Sequence, residues 1–143
     1  MTTQEQLTQV FNDNFVVYFR SHTAHINITG RNFRSDHKLL QGVYERRQAQ
    51  IDVIGELLRT LNAFMPVSIG EILASSHIED LDVEGSADDM LESIRMDLEH
   101  LKDCYEDLMT IADDEDHKEI ANYAQDQILD IAKSIWMLDS TLN

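Results

Sequence analysis

The sequence predicts an all-α protein: a four-helix bundle with one short crossover helix between its second and third long helices. Three observations carry this. The chain has 143 residues with one proline and five glycines, and helix formers dominate, which disfavours a sandwich or barrel. Four long stretches repeat apolar residues at three- and four-residue steps, the signature of helices with one buried face. A short capped segment follows the proline and separates the second stretch from the third; a parallel connection between those helices needs such a crossover. The length suits one domain, residues 1–143, with a real core.

The first helix is expected from about Gln4 to about Ile28, where Leu7, Phe11, Phe15, Tyr18, His22 and His25 form one stripe. Its histidines therefore continue the core face. Thr29-Gly30-Arg31-Asn32 breaks the pattern as a turn. The second helix is expected from Phe33 to Asn62, with Leu40, Tyr44, Ile51, Ile54, Leu58 and Leu61 on its core face. Gly42 and Gly55 lie inside it, and each weakens a helix by up to ~1 kcal/mol, so each suggests close approach of another backbone. Pro66 ends the segment, and Ser68-Ile69-Gly70-Glu71 reads as a capping box opening a short helix to about Ser75. Asp80 to Gly85 is acidic, ends on glycine and reads as a loop.

Ser86 caps the third long helix, with Asp88 and Asp89 favourable in its first turn. Leu91, Ile94, Leu98, Leu101, Tyr105 and Leu108 then keep the 3-4-3-4-3 rhythm of a bundle. Asp113 to Asp116 form an acidic break, and the fourth helix carries Ile120, Ala124, Ile128, Ile131, Ile135 and Leu138. There is no internal repeat.

Composition excludes several functions. The net charge of −16 opposes general nucleic-acid binding, which needs Lys and Arg on phosphates. The only lysines are Lys38, Lys102, Lys118 and Lys133, so there is no basic N-terminal arm. An acidic surface serves solubility, or else gathers cations such as Fe²⁺. Cys104 is the one cysteine. It excludes an internal disulfide, suits a reducing cytoplasm and reads as a small buried hydrophobe. The N-terminus MTTQEQLTQVFN lacks the pattern of a signal peptide. No stretch approaches the ~18 apolar residues of a membrane span.

Chemistry concentrates in His25, His37, Asp52 and Glu56. Asp52 and Glu56, four residues apart, point to one side of a helix. Two imidazoles and two carboxylates make a mixed N/O set that suits iron or zinc. His37 and Asp52 are fifteen residues apart on one expected helix, or roughly 22 Å at about 1.5 Å rise per residue. No single metal reaches both from one copy. Either the two pairs do unrelated jobs, or an antiparallel second chain brings its Asp52 and Glu56 to the first chain's His37 at a two-fold interface. Each pair also has an ordinary reading, as hydrogen-bonded interior histidines and as a solvated helix face, and spacing alone does not decide. A self-contained di-iron bundle would use two Glu-x-x-His motifs. This chain has only Asp97-Leu98-Glu99-His100 near that pattern. His77, His100 and His117 read as surface residues without a ligand partner.

The run His25-Ile26-Asn27-Ile28-Thr29-Gly30-Arg31-Asn32-Phe33, then His37, Tyr44 and Asp52-x-x-x-Glu56, resembles the Dps family, the mini-ferritins or DNA-binding proteins from starved cells. Lys133-Ser134-Ile135-Trp136-Met137-Leu138 looks like that family's closing helix, so the resemblance spans nearly the whole chain. It implies a ferritin-like fold and a homo-oligomer, a hollow dodecamer built from two-fold dimers. It implies a mono- or di-iron ferroxidase centre shared between subunits, with His25 and His37 from one and Asp52 and Glu56 from the other. It implies oxidation of Fe²⁺, typically with hydrogen peroxide, ferric storage inside the shell, and so protection of DNA from hydroxyl radicals.

Three departures from the family pattern stand in this sequence. Gln41 occupies the position, four residues after the second histidine, where the family usually has an aspartate; an amide is a poorer ligand for a hard cation. His22, one turn before His25, is a candidate to compensate. Ile26 replaces the signature tryptophan. The lysine-rich tail that some members use to hold DNA is absent, so direct DNA binding is not expected. The family lines its three-fold pores with acidic residues near the start of the last helix. Asp113 to Asp116 lie close to that place, although Lys118 and Asn122 stand where carboxylates are common. The competing readings are a DNA-condensing nucleoid protein, and a structural helical cage with a degenerate metal site in which Gln41 is a first lesion.

Overall fold

The computed structural model describes residues 1–143, all of them, and contains five helices and no strand. They are α1 (Thr3–Asn27), α2 (Phe33–Thr60), α3 (Ile69–Ser75), α4 (Ala87–Asp114) and α5 (Lys118–Leu142). The four long helices make the bundle and α3 is the crossover, as the spacing of apolar residues predicts.

Three helices begin on side-chain caps. Thr2 and Glu5 form a full capping box at α1, and Ser86 and Asp89 form another at α4. Each box satisfies backbone N–H groups that the first turn leaves unpaired. At α3 Ser68 accepts from the Glu71 N–H, but the Glu71 carboxylate accepts from Val67 rather than Ser68, so only half of the expected box is present. Helices α2 and α4 end differently from the expectation that proline and acidic residues stop them. The N–H groups of Asn62 and Ala63 bond to Arg59 and Leu58 carbonyls, and those of Asp116 and His117 to Asp113 and Ala112. Asn62 and Asp116 take φ of 60° and 65°. These are Schellman closures with Asn and Asp in the left-handed position that glycine more often fills. Asp113 and Asp114 therefore belong to α4. Gly30, at φ 128°, makes the α1–α2 turn in a conformation other residues rarely adopt.

The relative directions follow from cross-helix bonds. Gln6 reaches the Cys104 carbonyl, Arg20 reaches Asp97 and Thr3 reaches Glu115, so α1 and α4 run antiparallel. With α1 and α2 joined by a short turn, α2 and α4 run parallel, and α3 makes the required crossover. Close backbone approach is concentrated in the α1–α2, α4–α5 and α1–α4 pairs. Between α2 and α5 the gap is spanned by long side chains: Arg47 and Arg46 reach Asp130, and Tyr123 donates to Gln50.

The α4 stripe of Leu91, Ile94, Leu98, Leu101, Tyr105 and Leu108 is entirely buried. On α5 Ile120, Ala124, Ile131, Ile135 and Leu138 are buried and Ile128 partly so. The α2 face differs from expectation. Val43 and Arg47 are buried, while Ile51 and Leu61 are only partly so. The close approach inferred at Gly42 and Gly55 does not occur within the chain. A Cβ at Gly42 would meet the Arg46 guanidinium, and one at Gly55 the Met65 sulfur. No helix is long and apolar enough to cross a membrane.

Candidate metal centre

His25 sits in the last turn of α1 and His37 in the second turn of α2. The tight turn at Gly30 brings these ends together. The two residues then tie the helices reciprocally: Nδ1 of His25 bonds to the His37 carbonyl, and Nδ1 of His37 to the His25 carbonyl, each at 2.7 Å. A carbonyl only accepts, so each Nδ1 must carry the proton. When the ring is neutral, its Nε2 lone pair is left free. Such a backbone tie fixes tautomer and ring orientation, which is how proteins prepare an imidazole to ligate a metal. The rings stack with centroids 3.7 Å apart, and Phe33 stacks on His37 at 4.9 Å. His25 is buried and His37 half-buried.

His22 does not join this pair. Its ring lies flat on Tyr44 at 3.9 Å, its Nδ1 bonds to the Tyr18 hydroxyl at 3.0 Å, and its centroid is 6.2 Å from that of His25. Ile26 is exposed where the family signature has tryptophan. Gln41 is exposed and donates to Glu45 one turn later at 2.8 Å, so its amide anchors a neighbouring carboxylate.

Asp52 and Glu56 are exposed on the last third of α2. They line an open cleft of about 620 Å³ with Gln48, Arg59, Phe64 and Met65 among others. Arg59 lies over the Phe64 ring at 4.1 Å. The Glu56 pKa is raised, first by its side-chain hydrogen bond to Asp52 and then by the Asp52 charge. Two carboxylates that repel one another in an open cleft favour a cation between them.

The structure thus forms each pair and keeps the pairs apart. Helix α2 is continuous from Phe33 to Thr60, so His37 and Asp52 stand roughly 22 Å apart by helical rise. No group of three or more His, Cys, Asp or Glu side chains converges on a metal position within the chain. The donor types fit iron: neutral imidazole nitrogen from α1 and α2, carboxylate oxygen from α2. Of the acidic run, Asp113 to Asp116 are exposed at the α4–α5 turn; Glu115 is engaged by Thr3, and Asp116 lies 3.8 Å from Lys118.

The sequence model of the ferritin-like domain matches residues 4–143. The chain is 29% identical over 143 residues to a DNA protection during starvation protein of Helicobacter pylori, covering 99% of both chains. It is 32% identical over 139 residues to antigen TpF1 of Treponema pallidum, covering 96% of this chain and 78% of that one. The crystal structure of TpF1 superposes with a TM-score of 0.93 at 31% identity, over 99% of this chain and 91% of that chain. The Dps structure from Listeria innocua gives 0.95 at 23% identity over 99% and 95%, a likeness of fold. The chain belongs to the ferritin-like family, and its named relatives include Dps proteins.

Proposed function

We propose that this protein is an iron-storing ferroxidase that oxidises Fe(II) with hydrogen peroxide at a site shared by two chains. His25 and His37 of one chain supply neutral nitrogen ligands through Nε2. Asp52 and Glu56 of the other supply carboxylate oxygen. The observation that most supports this is the reciprocal Nδ1-to-carbonyl tie of His25 and His37, which presents two oriented imidazoles that a core packing role does not need. The separation along α2 and the lack of a complete ligand set in one chain favour a partner chain over an internal site.

Fe(II) is the substrate. Two Fe(II), one hydrogen peroxide and two protons give two Fe(III) and two waters, so no hydroxyl radical is released when both electrons arrive together. The protein binds the cation, holds the imidazole tautomers and concentrates negative charge at the site. Twelve chains in a cytoplasmic shell would then store the ferric product, and DNA is protected by removal of iron and peroxide rather than by contact.

A degenerate cage is the second reading, and the Gln41–Glu45 hydrogen bond favours it, because an amide stands where a further ligand is expected. Anaerobic loading with Fe²⁺, addition of hydrogen peroxide and size-exclusion chromatography with iron detection separates the two. Iron eluting with a large shell is the ferroxidase outcome. A shell that elutes without iron transfers the assignment to the structural cage.

A further inference from the structure

A second set of metal-binding side-chain types lies between α1, α4 and the segment after α3. Asp13 is twelve residues before His25 on α1, or roughly 18 Å along the helix, so this is separate from the histidine pair. A cavity of about 160 Å³ is lined by Asp13, His77, His100, Asp103, Cys104 and Asp107, among others. His100, Asp103 and Asp107 share one face of α4 by their spacing. His77 is placed by its own backbone, since its N–H donates to Asp13 Oδ1 at 2.8 Å.

The Asp13 carboxylate is the fixed point. Its side chain is 3% exposed. Ser76 Oγ at 2.9 Å and Gln9 Nε2 at 3.2 Å join the His77 N–H on the same oxygen, Oδ1. Oδ2 receives none of these bonds; its polar neighbour is His77 Nδ1 at 3.6 Å, beyond hydrogen-bond reach. The thiol of Cys104, a weak donor, also faces the carboxylate. The carboxylate is thus fixed through Oδ1, and Oδ2 is the oxygen left to meet a donor or cation presented from the cavity. Arg20, from the adjoining cavity, does not supply it, because its guanidinium is bonded to Asp97 at 2.7 Å and to the Leu81 carbonyl.

We propose that Asp13, His77 and His100 form a divalent transition-metal site in each chain, completed when the two imidazoles turn onto Asp13 Oδ2. As the side chains stand, no three donors converge on one point. Both imidazoles are exposed, His77 by 72%, so they reorient without disturbing the core, whereas Asp13 stays fixed. Two imidazoles and one carboxylate suit a borderline cation such as Zn²⁺ or Co²⁺, with water completing the shell. Asp103 and Asp107 add negative field at the rim.

The test is equilibrium dialysis of the assembled protein against Zn²⁺ alone, in an H37A/D52A background that removes the candidate iron centre. One Zn²⁺ per chain is expected to remain bound. H77A and H100A are each expected to weaken it by about tenfold or more, the scale on which even supporting groups act. Both positions are exposed, and unchanged circular dichroism would show that folding is intact. In the otherwise unaltered protein, H77A/H100A is expected to lower the Zn²⁺ stoichiometry by one per chain. Co²⁺ is expected to give visible absorption in the H37A/D52A protein that the H77A/H100A pair abolishes. A stoichiometry and affinity unmoved by both histidine substitutions, or no Zn²⁺ bound in the H37A/D52A protein, overturns the site.

Discussion

His25 and His37 differ from ordinary interior histidines in where their second nitrogen is left. Each Nδ1 is spent on the other residue's carbonyl, so only Nε2 can act. Replacing His37 with alanine removes a proposed ligand and one of the two bonds that tie α2 to α1. Asp52→Ala removes a proposed ligand from an exposed helix face and leaves packing intact. Both are expected to abolish fast Fe(II) oxidation in stopped-flow absorbance while the shell still elutes at its original size; unchanged rates in both variants would sink the ligand assignment. Gln41→Asp is expected to act in the opposite direction, tightening the second Fe(II) several-fold in an anaerobic titration, because it restores a hard oxygen donor. The residue types and spacings of the four proposed ligands come from the sequence, and the structure keeps both pairs in the expected places on α1 and α2. The reciprocal backbone tie was not legible there, because it depends on the turn at Gly30 setting two helix ends at one distance. His77 reads as a surface residue and is exposed, but its contact with Asp13 is not legible in the sequence for the same reason. The two are 64 residues apart, and only the path of the chain after α3 joins them.

Helices, by contrast, could be read almost to their ends, because a period of three to four apolar residues is a local property. The departures come where one helix meets another. Arg47 lies on the α2 core face and is buried, bonded to Asp130 and Gln127 on α5, in a gap that aliphatic side chains would leave open. A periodicity that counts only apolar residues skips such a position. The ends are stabilised by chemistry with a pH signature. Bonds from the Ser86 backbone and hydroxyl hold Asp89 below its ordinary value of 3.8, and bonds from Thr3 hold Glu115 below 4.5. A depressed carboxyl contributes stability that is full above its unfolded pKa and is lost as pH falls through its folded one. Asp36 acts in the opposite sense, since burial and then Asp88 raise its pKa. Glu115→Gln is therefore expected to flatten the loss of thermal stability below about pH 4.5, with little change in slope at neutral pH. Ser86→Ala, which opens the α4 box, is expected to cost about 1 kcal/mol in urea unfolding. A glutamine variant whose acid limb matches the parent would remove Glu115 from the account.

On the scale of the whole molecule, the unbroken length of α2 was legible, and the proposal that a second chain completes the site rests on it; the pose of that chain was not, since nothing in one sequence sets how two copies meet. The charge of −16 bears on the same scale: DNA is expected to run unretarded beside the protein in a low-salt gel shift, because too few cations face its phosphates. The proposed sharing of the site between two chains has a sharper consequence. A chain carrying His37→Ala keeps its carboxylates, and a chain carrying Asp52→Ala keeps its histidines. Each variant alone builds only broken sites. If a two-fold pair shares both sites, a mixed pair has one site with every ligand present and one lacking both. Random assembly makes about half of the pairs mixed, so about a quarter of all sites are intact. Co-refolding the two inactive variants in equal amounts is therefore expected to restore about a quarter of the parent's initial Fe(II) oxidation rate. Sites contained within single chains would give no recovery at any mixing ratio, because no chain in the mixture carries a full set.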